Sequence, residues 1–161
     1  MSVLDKFPEL SSFGTLLNFA QALEQTVESF ALEAAQREDC VSFKEKLEAT
    51  AKRHQKRNKK LGRLRQEQLN EVVLQPLEGM NRADYLPKEG LPPEGNTKET
   101  IEVITQAEEV ISRFYLDAAS IAENVLGGLP RTFKKQAEQS LEIAAELKKD
   151  PNLPYEPSCN K

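Results

Sequence analysis

Three residues that could do chemistry occupy positions where a helix is expected to face a hydrophobic core. Glu24 and Glu108 each interrupt an apolar pattern of helical period, and His54, the single histidine, lies in line with Leu47 and Leu61. An unpaired carboxylate is costly to bury, so two carboxylates and an imidazole in one interior need partners. Two carboxylates and one imidazole can also form an open site for a metal ion.

Two arrangements of these residues are consistent with the sequence. Without a metal, one carboxyl would be protonated or His54 would be cationic between the two glutamates, because two close carboxylates cannot both ionise cheaply. With a metal, Glu24, His54 and Glu108 would hold one iron or manganese ion together with water. Both arrangements require the three side chains to meet inside one helical bundle.

Four long helical patterns would position these residues. They are predicted at about residues 9–39, 41–73, 97–126 and 130–149. Each carries apolar residues at alternating steps of three and four, which keeps one face pointed inward. Asn96 and Glu99 have the spacing of a capping box at the start of the third helix. Strand signals are nearly absent, so the predicted fold class is all-α.

The connections between the helices predict the topology. A tight turn near Cys40 joins the first two helices and "GGLP" joins the last two, so each pair is expected to be an antiparallel hairpin. The connection 74–96 holds four of the nine prolines. Extended at about 3.3 Å per residue, it can return along a helix. Residues 1–149 are therefore predicted to form one bundle, followed by a proline-rich extended tail, 150–161.

Short motifs surround the three polar residues. In "LEQTVESFA" the aromatic Phe30 follows Glu24 by six residues, and in "EEVISRFY" an aromatic pair ends the motif that begins at Glu108. The segment "LEATAKRHQKR" contains His54. These motifs resemble those of the rubrerythrin-like branch of the ferritin-like superfamily. The resemblance implies a ferritin-like antiparallel four-helix bundle with a long crossover between helices 2 and 3, and it implies that these three residues occupy metal-ligand positions.

The same resemblance shows which ligands are missing. The family pattern has a Glu-x-x-His on the second helix, where this chain has Ala51 before His54. On the fourth helix the corresponding pair is Ser140 and Ile143. The resemblance therefore implies a degenerate di-iron site that keeps Glu24, His54 and Glu108 as residual ligand positions. An intact di-iron oxidoreductase is the least favoured alternative.

The predicted function follows from a preserved scaffold with lost ligands. The chain is expected to be a non-catalytic accessory or interaction protein without a cofactor. It would self-associate, as a dimer, or dock on a larger redox or metabolic assembly. The alternative is a metal-binding protein with one iron or manganese ion, which reduces a peroxide or stores metal.

Composition narrows the setting. The 161 residues are 39% hydrophobic and 30% charged, with a net charge of −4, which suits one globular domain. The opening lacks an apolar signal-peptide region and no long apolar run follows, so a cytoplasmic protein without a membrane partner is expected. Cys40 and Cys159 form no Cys-x-x-Cys pair, which argues against a zinc ribbon and fits a reducing compartment.

The second helix carries a strongly basic run. Residues 52–65 include eight Lys or Arg but no interleaved aromatic residue, so a nucleic-acid partner is not expected. The run is predicted to be a solvated helix face that acidic residues on neighbouring helices partly balance. A patch for an acidic protein partner is the alternative.

Overall fold

The computed structural model describes residues 7–67, 74, 76–123 and 129–153. Within these residues the chain forms four α-helices and no β-strand, which confirms the all-α prediction. The helices are α1 (Phe13–Ala35), α2 (Lys44–Glu67), α3 (Thr97–Ala122) and α4 (Leu129–Lys148). Two short 3₁₀ helices, Glu38–Phe43 and Arg82–Tyr85, lie in the connections. No helix in this part of the chain is long and apolar enough to cross a membrane.

The first helix is shorter than its apolar pattern predicts. It begins at Phe13 because Ser12 caps it: Ser12 Oγ accepts from the Thr15 N–H at 3.1 Å, and Thr15 Oγ1 accepts from the Ser12 N–H at 2.9 Å. It ends at Ala35, a turn follows at residues 36–37, and the 3₁₀ helix Glu38–Phe43 begins where the prediction still had the first helix. The predicted bounds 9 and 39 of the first helix are therefore wrong, and so is the predicted start of the second helix at residue 41, because the 3₁₀ helix delays the start of α2 to Lys44.

The predicted capping box at the start of α3 is wrong. Asn96 is the N-cap residue, but its side chain makes no capping bond and instead donates to the Pro93 carbonyl at 2.8 Å. A cap needs the side-chain oxygen to face the free N–H groups of the first turn, and the turn before α3 directs this amide backwards. Several predictions fall outside the described residues. They are the two helix ends at residues 73 and 126, the connection at 127–128, Cys159, and the tail after 153.

The apolar stripes predicted on the four helices are buried. The members of these stripes within the described helices, apart from the three polar residues, are Phe13, Leu17, Ala20, Val27, Ala31, Ala34, Leu47, Leu61, Ile101, Ile104, Ile111, Tyr115, Ala118, Ala122, Phe133, Ala137, Ser140, Ala144 and Leu147. Aromatic rings pack against one another in the core: Phe19 stacks on Phe114 with ring centroids 5.2 Å apart. Glu24, His54 and Glu108 lie on these same helix faces and are buried with them.

The connection between α2 and α3 is tied to both ends of α1. Near its start, the Leu77 N–H donates to the Ser11 carbonyl at 3.1 Å. Near its end, Arg37 Nη1 donates to the Pro92 carbonyl at 2.6 Å. Between them Tyr85 is buried. Residues 76–96 of the connection therefore pack against the helices and add to the core.

Candidate functional site

The structure brings together the three polar residues that the sequence singles out. Glu24 on α1, His54 on α2 and Glu108 on α3 are each fully buried. His54 Nδ1 is hydrogen-bonded to Glu24 Oε1, and His54 Nε2 is 2.6 Å from Glu108 Oε2. The imidazole therefore lies between the two carboxylates, with one ring nitrogen bonded to each.

A buried arginine completes this group. Arg57 on α2 is 6% exposed, and its Nη1 lies 3.8 Å from Glu24 Oε1. The same nitrogen donates to Ser140 Oγ on α4 at 2.7 Å, and Nη2 donates to Gln139 Oε1 at 3.2 Å. We call Glu24, His54, Arg57 and Glu108 the buried charge cluster. Because Ser140 bonds to it, the cluster connects all four helices.

The burial of Arg57 corrects the prediction that the whole basic run is a solvated face. Arg57 follows His54 by three residues, so both side chains lie on the same face of α2. The buried residues of α2 also include Ala51 and Leu61, which continue that face. The spacing of three residues from His54 could have predicted that Arg57 is buried. The run contains seven other basic residues, however, so Arg57 is hard to single out from the sequence.

The charges within the cluster balance. Burial alone lowers the pKa of His54, but the carboxylates of Glu108 and Glu24 outweigh it and raise the pKa to about 9. At neutral pH the imidazolium and the Arg57 guanidinium therefore supply two positive charges against the formal charges of Glu24 and Glu108. Breaking a buried ion pair is strongly destabilising, whereas a matched set can persist in the interior.

Tyr115 supplies a neutral donor to the cluster. Its hydroxyl donates to Glu24 Oε2 at 2.5 Å. Burial, followed by the charge of Glu24, raises the pKa of this phenol well above its ordinary value, so the proton stays on Tyr115. Each oxygen of Glu24 thus has a donor. Among the described residues, Glu108 Oε1 has no hydrogen-bond partner.

In this arrangement the side chains of Glu24, His54 and Glu108 are not placed to ligate one metal ion together. A histidine ligand gives one ring nitrogen to the metal and donates its other N–H to a neighbouring group. Here the two carboxylates are bonded to different nitrogens of one ring, so the three groups do not converge on one point. The nearby Arg57 guanidinium would also repel a cation. In the described part of the chain, no group of three or more His, Cys, Asp or Glu is placed to hold a metal ion.

The positions where the resemblance implies missing ligands are filled by packing residues. Ala51 and Ile143 are each 3% exposed and belong to the hydrophobic core. Ser140 is fully buried and accepts the hydrogen bond from Arg57. The fourth helix therefore contributes a hydroxyl group that binds a protein cation.

The acidic residues expected to balance the basic run are Glu28, Glu33, Glu109 and Asp117, and three of them have partners outside the run. Asp117 Oδ2 accepts a hydrogen bond from the Tyr85 hydroxyl at 2.6 Å. Glu33 pairs with Arg37 one turn along α1 at 2.8 Å, and Glu109 pairs with Lys148 of α4 at 3.4 Å. These three carboxylates are therefore engaged outside the basic run.

Comparison with known proteins adds no relative. No protein-family model matches the chain, and no curated protein or solved structure shows significant similarity to it.

Proposed function

We propose that this chain is a non-catalytic accessory or interaction protein of the ferritin-like superfamily, related to rubrerythrins, that self-associates or docks on a larger assembly. The observation that carries the proposal is the bonding of His54 to Glu24 and Glu108 through its two ring nitrogens. A di-iron enzyme keeps such carboxylates for its metal ions. Here protein side chains occupy them.

The cluster also has a role that needs no metal. Arg57 and His54 supply the positive charge that metal ions would bring to two buried carboxylates. Because its members and Ser140 come from four helices, the cluster holds the helices in register as a polar centre of the core. A buried polar set of this kind favours one packing arrangement over others, and that would preserve the scaffold after catalysis is lost.

Contacts between the helices support the antiparallel part of the proposal. On α1 and α2, Gln21 Nε2 donates to Asn58 Oδ1 at 3.0 Å, whereas Glu24, later in α1, bonds to His54, earlier in α2. Such a descending order is expected of antiparallel neighbours. On the other pair, Tyr115 of α3 packs on Phe133 near the start of α4, and Glu109 pairs with Lys148 at its end.

The connection between α2 and α3 supports a ferritin-like crossover. Leu77 bonds to Ser11 before α1 begins, and the Gly95 N–H donates to Asp39 Oδ2 after α1 has ended, at 3.0 Å. A segment bonded at both ends of a helix in chain order has the course that a long crossover requires.

Self-association is the form of interaction that the exposed surface favours. Leu32 on α1 is 43% exposed and lies beside a groove of about 590 Å³ that includes Phe30 and Ala22. Leu32 is the one exposed apolar side chain among the described residues that line this groove, and an apolar side chain beside a groove is the kind of feature that a protein partner covers. A second copy of this chain is therefore the partner we expect first, in a dimer.

Elemental analysis tests the metal-free part of the proposal. Protein purified from cells supplemented with iron and manganese should carry far less than about one metal ion per chain, and Glu108→Ala should not change the content. Glu109→Ala, one residue away and partly exposed, is the matched control. About one iron or manganese ion per chain, lost in Glu108→Ala alone, would overturn the proposal in favour of a metal-binding protein.

Sedimentation equilibrium tests the interaction part. We expect a dimer at micromolar concentration, weakened by Leu32→Asp, whereas Leu141→Asp, on the exposed side of α4, serves as the control. A monomer at all concentrations, with no stoichiometric partner recovered from the native host, would overturn the accessory role.

A further inference from the structure

A recess of about 380 Å³ between α2 and α4 is lined by positive charge. Lys56 and Lys60 lie one turn apart on α2, and Arg131 and Lys135 lie one turn apart on α4. These four side chains are exposed, and Arg57 of the buried charge cluster lines the same recess. Of the described residues that line it, none is acidic.

This arrangement is electrostatically unfavourable without a counter-charge. Like charges one helical turn apart destabilise a helix, and each wall of the recess has such a pair. The two pairs also face a common space, so their potentials add within it. An anion in the recess would interact with the four exposed cationic side chains at once, and Arg57 Nε, which has no partner among the described residues, would add a hydrogen-bond donor.

The buried side of the recess offers polar atoms without partners. Arg57 Nε and Gln136 Oε1 are buried and have no hydrogen-bond partner among the described residues. The side chains belong to residues that are 6% and 5% exposed, and both line the recess. Buried polar atoms are normally satisfied, so an unpaired donor and an unpaired acceptor on residues that line one recess point to a ligand that supplies both complements.

We propose that this recess binds a small organic anion with at least two negative charges, of the phosphate-ester or diphosphate class. The guanidinium of Arg57 suits phosphate oxygens, and the lysines contribute as point charges around it. Gln136 Oε1 would accept a hydrogen bond from a hydroxyl or N–H of the organic part. The volume lies within the range of about 300–1,000 Å³ typical of small-molecule sites.

A small ligand is favoured over an acidic protein surface because the recess is concave and partly buried. The adjoining recess shares Lys56 and Arg57 but also contains Glu142, which would repel an anion. The favourable site is therefore confined to one recess, whereas an acidic protein would need a continuous basic surface.

Titration calorimetry with inorganic pyrophosphate, at constant ionic strength, tests the proposal. We expect one site per chain. The double variant Lys60→Gln with Lys135→Gln should weaken binding at least about fivefold, since two of the charges at the recess are removed. The matched control is Lys59→Gln with Lys134→Gln, which removes the same charge from adjacent exposed positions that do not line the recess. It should bind within about twofold of the unchanged chain.

Three results would overturn the proposal. Equal weakening in both double variants would show a diffuse charge effect in place of a site. The absence of binding up to about 10 mM pyrophosphate would exclude a site of useful affinity. Tighter binding of a poly-glutamate peptide than of pyrophosphate, abolished by the same recess substitutions, would assign the surface to an acidic protein partner. Circular dichroism of both variants confirms that each is folded.

Discussion

Glu24 occupies a core position of α1 because α2 brings cationic groups to it. His54 bonds to one of its oxygens, the Arg57 guanidinium lies 3.8 Å from the same oxygen, and Tyr115 donates to the other. A carboxylate with this set of neighbours keeps most of the stabilisation that water would have given it. The unusual residue type is thus explained by its partners on other helices.

The histidine makes stability depend on pH. Glu108 and Glu24 raise the pKa of His54 from 6.5 to about 9 despite its burial. A raised pKa in the folded state gives stabilisation that is fully present below the unfolded pKa and is lost as pH rises through the folded pKa. We therefore expect the free energy of unfolding to fall between pH 6.5 and 9, by up to about 3 kcal/mol. Urea unfolding followed by circular dichroism at several pH values measures this change.

The control for this experiment must account for Cys40. Its buried thiol has a raised pKa, chiefly from desolvation, and so also lowers stability at alkaline pH. Both proteins should therefore carry Cys40→Ala, and His54→Gln in that background should show a much flatter pH dependence. An unchanged slope would mean that His54 is not the titrating group.

At the scale of the helix, α2 carries two chemistries on opposite faces. Its inner face bears Leu47, His54, Arg57 and Leu61, and its outer face bears most of the basic run. Helical geometry makes this possible because residues three or four apart share a face. One helix thus supplies both cations of the buried charge cluster and half of the basic recess.

The first turns of α1 and α3 differ in whether a side chain caps them. Ser12 and Thr15 cap α1 reciprocally, whereas the Asn96 side chain makes no capping bond to α3. We expect Ser12→Ala to lower the free energy of unfolding by about 1 kcal/mol, and Asn96→Ala to lower it by only a few tenths. Parallel urea titrations of the two variants provide the measurement. A larger loss from Asn96→Ala would show that the predicted cap forms after all.

At the scale of the whole molecule, the buried charge cluster makes the stability of the four helices depend on one another. Its members and Ser140 lie on four different helices, so removing one charge leaves an unpaired charge at a point where all four meet. A buried set of this kind is costly to break but can often be replaced as a whole by apolar residues.

Removing one member of the buried charge cluster should therefore destabilise the protein more than replacing the whole cluster by apolar residues. Glu24→Leu alone should lower the free energy of unfolding by about 3–5 kcal/mol, since His54 and Arg57 lose a common partner. The complete set, Glu24→Leu, His54→Leu, Arg57→Met, Glu108→Leu and Tyr115→Phe, should recover most of that loss. Thermal and urea unfolding of both proteins measure the difference. Additive losses across the five changes would contradict a single cooperative network.

The sequence by itself determined the helical class, the inward faces of the helices and the burial of Glu24, His54 and Glu108. These follow from local periodicity, because a spacing of three or four residues decides which face a side chain occupies. The helix ends were less predictable: the cap at Ser12 and the 3₁₀ turn after Ala35 depend on bonds that several residue types can make.

Only the tertiary structure decided what the buried carboxylates bind. Periodicity places a residue on a face but does not say which atom of a neighbouring helix it meets, so the same three residues predicted a metal site or a paired cluster. Packing placed His54 between the two carboxylates and Arg57 beside Glu24. It also joined α2 and α4 into one basic recess. Both outcomes depend on distances between residues far apart in sequence, because electrostatic energy depends on separation in space.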